Sequence, residues 1–387
     1  MQSRSPIDSI ASVKDRLTSV MTHLSTTKPR VVICRNLGPD VMPLLEKRSD
    51  VEVVVWPEDS SCDRNWLLEQ VKGAAGVLLM FPEKADKALF EAAGTSLRVV
   101  STMSVGYGAL FIPPSRYTIQ QSPAEHIDLT ELTNRGVKLG YTPDVLTDAV
   151  ADVTVMLALM AGRNAGSTIE LVQSGQWPKF LWAPFAFCGP QISTLPSSPE
   201  RTVGFVGFGR IAQATLKRLI PFGITSCIYT AKPDSPSALD RDTAILSQYP
   251  TLKTLRRVDS DELARSSDVV FVLAPGGEST RHLINEEFLR KMKKHSVLVN
   301  ASRGTLVDSD ALAKALKEGW IWGAGLDVVE GEPNITLDHP LVKEPRCVIL
   351  PHIGSASIET RIDMATLAVN NLLAGVFGEE MPAQLKV

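Results

Sequence analysis

The sequence predicts an α/β protein with two parallel-sheet domains flanking a cleft. Two observations carry that expectation. From residue 30 onward, short and almost continuously apolar β-rich runs alternate with helix-like stretches, the pattern of strands covered by helices on both faces. A clearer strand–helix rhythm then begins at Thr202 and persists to Leu350. The length of 387 residues accommodates about two or three domains of ordinary size.

In the first rhythm, strands are expected at Val31–Cys34, Val51–Trp56, Gly76–Phe81, Leu97–Ser101 and Val137–Leu139, with helices near Val41–Lys47 and Trp66–Lys72. Asp144–Arg163 reads as a long buried helix, because Leu146, Val150, Val153, Leu157 and Met160 make one apolar stripe. Thr147 and Asp148 are placed to cap its start. Helical character resumes at Gly166 and lasts to Gly175. In the second rhythm, the expected strands are Thr202–Val206, Ser226–Tyr229, Val269–Ala274, Ser296–Asn300, Gly323–Asp327 and Cys347–Leu350. The helices among them are Arg210–Ile220, Asp259–Arg265, Asn285–Met292 and Ser309–Glu318. Ile358–Leu373 is a final amphipathic helix, expected to pack back against the first domain. Two segments break the pattern: 109–125, with three prolines, and the Ser/Pro loop 192–200. No repeat period is evident.

Composition excludes several classes. Forty basic against 43 acidic residues leave a net charge of −3, which removes the simplest case for a nucleic-acid or anionic-membrane binder. An apolar share of 44% beside 21% charged residues supports large cores rather than disorder. No run of about 18 apolar residues suggests a membrane span. The five cysteines are scattered and form no CxxC, which points to a reducing compartment and to no metal site. Ile10, Val13, Leu17, Val20 and Leu24 recur at helical spacing, but Asp8 and Asp15 interrupt the basic character of a mitochondrial presequence. A cytoplasmic location is therefore expected, with a mitochondrial one as the alternative.

The first chemical signal is Gly207-x-Gly209-x-x-Ala212, set between an apolar strand and a helical pattern. Gly207 permits the tight turn and Gly209 the close approach of a pyrophosphate, while Ala212 keeps helix and strand together. The free N–H groups of the helix, with Arg210 and Ile211 in its first turn, would then hold phosphate. The alternative is an ordinary tight strand-to-helix turn. A cofactor with a free ribose diol usually meets an acidic residue about 20 positions further on. Here the following strand ends in Tyr229-Thr-Ala-Lys232. A cation there favours NADPH, with NADH as the alternative if a loop shift brings Asp234 to the ribose.

Further motifs follow in order: Asn300-Ala-Ser-Arg-Gly304, Val307-Asp308, Gly325-Leu-Asp-Val328, Glu332-Pro333 and Pro351-His-Ile-Gly-Ser355. With the glycine turn, they make the sequence from residue 30 to 385 resemble the D-isomer-specific 2-hydroxyacid dehydrogenases. Ser101-Thr-Met-Ser-Val-Gly106, the stretch Gly140–Asp148 and Asn370–Gly375 bring it nearest to the glyoxylate/hydroxypyruvate reductases of that family.

The resemblance implies two flavodoxin-like or Rossmann-like domains. Residues 29–146 plus 355–387 would bind substrate, 147–354 would bind NAD(P), and 1–28 would be an N-terminal extension. It implies NADPH-dependent reduction of glyoxylate or hydroxypyruvate to glycolate or D-glycerate, with hinge closure excluding water. His352 would be the acid/base, Glu332 its carboxylate partner, and Arg303 the cation that binds the substrate carboxylate. The amides of Val105 and Gly106 would be a second carboxylate anchor. Thr147, Ala274 and Asp327 would face the cofactor, Asp327 near the nicotinamide amide. The region Trp177–Trp182 would help to pack a homodimer. Two other readings fit the same fold: an NAD-dependent dehydrogenase for a bulkier 2-keto acid, and a catalytically weak, dinucleotide-sensing corepressor-like protein. The sequence departs from the family between Gly108 and His126, where segment 109–125 interrupts the run into His126-Ile-Asp-Leu129.

Overall fold

The computed structural model describes residues 28–104, 126–194, 200–232 and 238–385. The chain divides into two compact units. The first comprises residues up to Thr102, Glu131–Gly140 and everything from Val369; the second comprises Met103–Thr130 and Tyr141–Ala368.

The first unit holds β1 (Arg30–Ile33), α1 (Pro43–Glu46), β2 (Glu52–Val55), α2 (Arg64–Gln70), β3 (Gly76–Leu79), α3 (Lys87–Ala93) and β4 (Val99–Thr102). Helix α4 (Leu129–Asn134) precedes β5 (Lys138–Gly140). Every residue of β3 and β4 is buried, as expected for parallel strands covered on both faces. Helices start where a carboxylate can take an orphan N–H: Asp63 accepts from Trp66 N at 2.8 Å and Asp86 from Leu89 N at 3.1 Å.

The second unit begins its regular structure with α5 (Thr147–Gly162) and α6 (Ala165–Gln173). It continues through β6 (Thr202–Val206), α7 (Arg210–Leu219), β7 (Ser226–Thr230), α8 (Leu239–Gln248), β8 (Thr254–Arg257), α9 (Ser260–Ser266) and β9 (Val269–Val272). Then come α10 (Glu286–Lys291), β10 (Val297–Asn300), α11 (Ser309–Glu318), β11 (Gly323–Leu326) and β12 (Cys347–Ile349). The compact units divide within α12 (Ile358–Phe377), and β13 (Gln384–Leu385) closes the first sheet.

The first sheet runs β13-β5-β4-β3-β1-β2. It is parallel except for the antiparallel edge pair β13–β5, and its β2-β1-β3-β4-β5 order is flavodoxin-like. The second runs β12-β11-β10-β9-β6-β7-β8, parallel throughout. Its order reverses between β6 and β9, the switch point at which doubly wound sheets bind ligands beyond their carboxyl ends. Apolar clusters cover both faces of this sheet, one built on Leu263, Leu289, Leu312 and Leu316, the other on Leu157, Phe205, Leu216 and Phe271. Helix α5 lies tight on β11 because the strand reads Gly-Ala-Gly-Leu. A Cβ on Gly325 would come within 2.8 Å of the Leu157 carbonyl oxygen.

Several expectations need correction. The long helix starts at Thr147, not Asp144, because Asp144 has φ +71° and leaves the helical region. Leu146 is its N-cap and no side chain bonds there; Asp148 instead pairs with Arg218 at 2.9 Å. Helices α3 and α8 and strands β8 and β13 carry no signal that sequence reading found. In β8 only Leu255 is buried, so this edge strand lacks an apolar run. No helix among the described residues is long and apolar enough to cross a membrane.

Candidate active site

Strand β6 delivers the chain to Gly207, whose φ of +87° suits glycine. A Cβ at this position would also sit 2.7 Å from Ala274 Cα, so the turn after β6 presses directly against the chain leaving β9. The Gly207 N–H donates to the Thr230 carbonyl at 3.2 Å, tying the turn to the end of β7. Gly209 is the N-cap of α7, with no side-chain cap. A Cβ there would meet nothing within 4 Å. The helix thus starts with unsatisfied N–H groups in front of open space, the geometry a pyrophosphate requires. Ala212, 1% exposed, packs into the core and Ile211 is half-buried. The Arg210 guanidinium pairs with Asp144. Thr147 is half-buried at the first turn of α5, its N–H on the Asp144 carbonyl at 2.9 Å. Lys232 is exposed just past β7. Asp234, Val105 and Gly106 lie outside the described residues, as does segment 109–125.

The other residues follow the ends of three adjacent strands, β10, β11 and β12, which pair in register as Asn300 with Leu326 and Leu326 with Ile349. After β10, Asn300 organises a tight loop: its Nδ2 donates to the Arg303 carbonyl at 2.8 Å, and its Oδ1 accepts from Ser302 N at 3.1 Å. Arg303 Nη1 donates to the Ser302 carbonyl at 2.6 Å. Two glycines let neighbouring chain close around this arginine. A Cβ on Gly276 would meet Arg303 Cγ at 2.8 Å, and one on Gly304 would meet Glu330 N at 2.4 Å.

After β12, His352 takes a φ of +54°, uncommon for a residue with a Cβ. The turn is held by Asp327, 2% exposed. Its carboxylate accepts from Ile353 N and Gly354 N, each at 2.8 Å, and its carbonyl from His352 N at 3.0 Å. Burial pushes the Asp327 carboxyl above the ordinary carboxylate range, against the pull of those two amides. His352 Nδ1 lies 2.9 Å from Glu332 Oε1. An ionised carboxylate only accepts, so Nδ1 carries the hydrogen and Nε2 is left to exchange a proton outward. Glu332 is itself fixed by Val329 N, which donates to Oε2 at 3.3 Å.

The structure therefore joins His352 to Glu332 and packs the Arg303 loop on the segment that leads to Glu332. It also adds a residue that sequence reading assigned no role. His126 is 8% exposed. Burial, and then the Arg303 charge, push its pKa down to about 4, so a neutral imidazole stands near that guanidinium. The available signal was its place in the run His126-Ile-Asp-Leu129, which gave no hint of proximity to Arg303.

Hydride exchange with a carbonyl needs a dinucleotide held at the carboxyl ends of the strands and a proton-exchanging group at the carboxyl end of another strand of the same sheet. That combination defines this protein as an NAD(P)-dependent oxidoreductase. The family model described as D-isomer specific 2-hydroxyacid dehydrogenase, NAD binding domain, matches residues 155–354, and the catalytic-domain model of the same family matches 31–110. The chain belongs to the D-isomer specific 2-hydroxyacid dehydrogenase family. It is 38% identical over 358 residues to the human glyoxylate reductase/hydroxypyruvate reductase, covering 92% of this chain and 98% of that one. It is 39% identical to the glyoxylate reductase of Thermofilum pendens, over 92% of this chain and 94% of the relative. Among solved structures, the NADPH-dependent glyoxylate/hydroxypyruvate reductase of Sinorhizobium meliloti, in complex with NADP and malonate, aligns with a TM-score of 0.68 at 28% identity. That alignment covers 93% of this chain and 97% of the other.

Proposed function

We propose that this protein reduces glyoxylate and hydroxypyruvate to glycolate and D-glycerate, with NADPH as the preferred cofactor. The observation that carries the reading is the 2.9 Å contact between His352 and Glu332, on the sheet edge that also bears the glycine turn and Arg303. When bound, NADPH supplies the hydride, which adds two electrons and a hydrogen to the carbonyl carbon. Arg303 offers a planar fork of donors to the substrate carboxylate, and the Val105 and Gly106 amides provide its second anchor. Protonated His352 gives its Nε2 hydrogen to the carbonyl oxygen as negative charge develops there. Glu332 keeps the ring oriented through Nδ1 in both charge states. The imidazole, with half its side-chain surface exposed, recovers its proton from solvent.

Asp327 has both carboxylate oxygens on backbone amides of the His352 turn, so in this reading it holds that turn beside the nicotinamide. Gly207, Gly209, Ile211 and Ala212 shape the pyrophosphate turn, flanked by Arg210, Thr147 and Ala274. Lys232 at the end of β7 supports the choice of NADPH, because a 2′-phosphate gains from a cation where a ribose diol gains from a carboxylate. We assign substrate binding to residues 29–146 with 355–387 and cofactor binding to 147–354, bounds that differ from the compact units, in which 103–130, 141–146 and 355–368 belong with the second. Two copies pair through the arm around Trp177–Trp182, where Leu181, Trp182 and Phe185 are each more than 80% exposed.

The test is steady-state turnover of glyoxylate, hydroxypyruvate, pyruvate and larger 2-keto acids with NADPH and with NADH. The expected result is highest kcat/KM for the two small substrates with NADPH. Replacing His352 by Gln should lower kcat by roughly 10²–10⁴-fold. Turnover confined to bulky 2-keto acids, or full activity in the His352→Gln variant, would refute the proposal.

A further inference from the structure

The carboxyl end of β7 carries more positive charge than Lys232 alone. Strand β8 lies parallel to β7, with Arg257 opposite Tyr229. Successive side chains of a strand leave on opposite faces, and the two arginines of β8 part accordingly. Arg256 pairs with Glu262 on α9. Arg257 turns to the end of β7, where its Nη2 donates to the Lys232 carbonyl at 2.6 Å and lies 3.4 Å from the Ala231 carbonyl oxygen. Lys232 and Arg257 are both exposed.

Two carboxylates adjoining this corner are already engaged. Asp242 accepts from the Tyr229 hydroxyl at 2.6 Å and pairs with Arg241 at 2.7 Å. Asp259 caps α9, accepting from Glu262 N at 2.7 Å. Arg241 lies over the rings of Phe208 and Tyr229 and donates to the Phe208 carbonyl at 3.2 Å, so it braces the glycine turn from the same side. The turn after β6 and the cation pair at the end of β7 stand at adjacent strand ends, which the Gly207 N–H joins by donating to the Thr230 carbonyl.

We propose that Arg257 is a second cofactor-discriminating residue, which together with Lys232 makes a two-cation seat for the 2′-phosphate of NADPH. The inference rests on the NADPH reading above and names the residue that completes it. Lysine is a point charge on a flexible stem, whereas arginine presents five N–H donors in a rigid fork. One of them pins Arg257 to the backbone of Lys232, so the fork is oriented before the cofactor arrives and loses little freedom on binding. The bond also fixes the strand end from which Lys232 projects. A ribose with a free 2′-hydroxyl makes no comparable use of a cation, so the contribution is confined to the phosphorylated cofactor.

The experiment compares 2′,5′-ADP with 5′-AMP by titration calorimetry, and NADPH with NADH by kcat/KM, for the wild-type protein and its Arg257→Gln and Arg257→Lys variants. In Arg257→Gln, losing charge-assisted hydrogen bonds should weaken 2′,5′-ADP binding and NADPH kcat/KM by about 10–100-fold. 5′-AMP and NADH should stay within about twofold, since neither meets the missing group. Arg257→Lys should fall between wild type and Arg257→Gln. Equal losses for both cofactors would assign Arg257 a merely structural role and overturn the inference. A wild-type preference for 2′,5′-ADP that survives unchanged in Arg257→Gln would overturn the inference alone. Equal wild-type affinity for 2′,5′-ADP and 5′-AMP would overturn the NADPH reading and the inference with it.

Discussion

At the residue scale, the site depends on pairs whose members lie far apart in sequence. In the proposed reaction His352 serves because Glu332 meets one ring nitrogen and leaves the other open, and because Asp327 fixes the turn on which the ring stands. His126 is the counterpart on the Arg303 side, an imidazole kept neutral by burial and by the guanidinium. That has a consequence for acid stability. In the unfolded chain the imidazole titrates near the ordinary histidine value of about 6.5, whereas in the fold it resists protonation until about 4. Between those values the unfolded state binds the extra proton, so stability falls as pH drops through this window, by roughly 3 kcal/mol in total. His126→Gln, which cannot titrate, should lower Tm less than wild type does between pH 7 and pH 5. Identical acid profiles for the two proteins, followed by calorimetry, would contradict the burial of a neutral His126.

At the element scale, small residues decide how closely helix and sheet approach. Strand β11 buries all four of its residues, two of them glycine, and the backbone of α5 occupies the space their side chains would need. Gly325→Ala would force a methyl group to 2.8 Å from the Leu157 carbonyl oxygen and 2.9 Å from Leu157 Cβ. Overpacking of that kind costs about 1–3 kcal/mol, to be read as a lower denaturant midpoint at unchanged slope. An unchanged midpoint would mean that α5 can move off the sheet. Elements with an apolar stripe or run were legible in advance: Thr202–Val206 and Ser309–Glu318 have the expected bounds. Strand β8 was not, because an edge strand reading Thr-Leu-Arg-Arg gains its place from hydrogen bonds to β7 rather than from burial.

At the scale of the whole molecule, the two sheets divide the labour by topology. The seven-stranded sheet reverses its order between β6 and β9, and the glycine turn stands at that reversal. The same unit exposes Trp177, Leu181, Trp182 and Phe185 close together in sequence, and exposed apolar residues that gather into a patch mark interaction surfaces. Pairing of two copies through this arm predicts a mass near twice 42.0 kDa by light scattering. Trp182→Glu, which puts a charge into the contact, should shift that mass toward the monomer. A monomeric wild-type protein would remove the pairing from the proposal.

The sequence alone determined the parallel α/β architecture and the glycine turn, because strands buried on both faces and a motif confined to one turn leave local patterns; Arg303, Glu332 and His352 are singled out only by resemblance to a family. Only the tertiary structure decided that Asp327 spends its carboxylate on the His352 turn, that Arg210 pairs with Asp144, and that His126 and Arg257 stand beside Arg303 and Lys232. Those contacts join residues remote in the chain, or set the direction of a long side chain. The packing of neighbouring strands and loops fixes them, and no local run of residues encodes that packing.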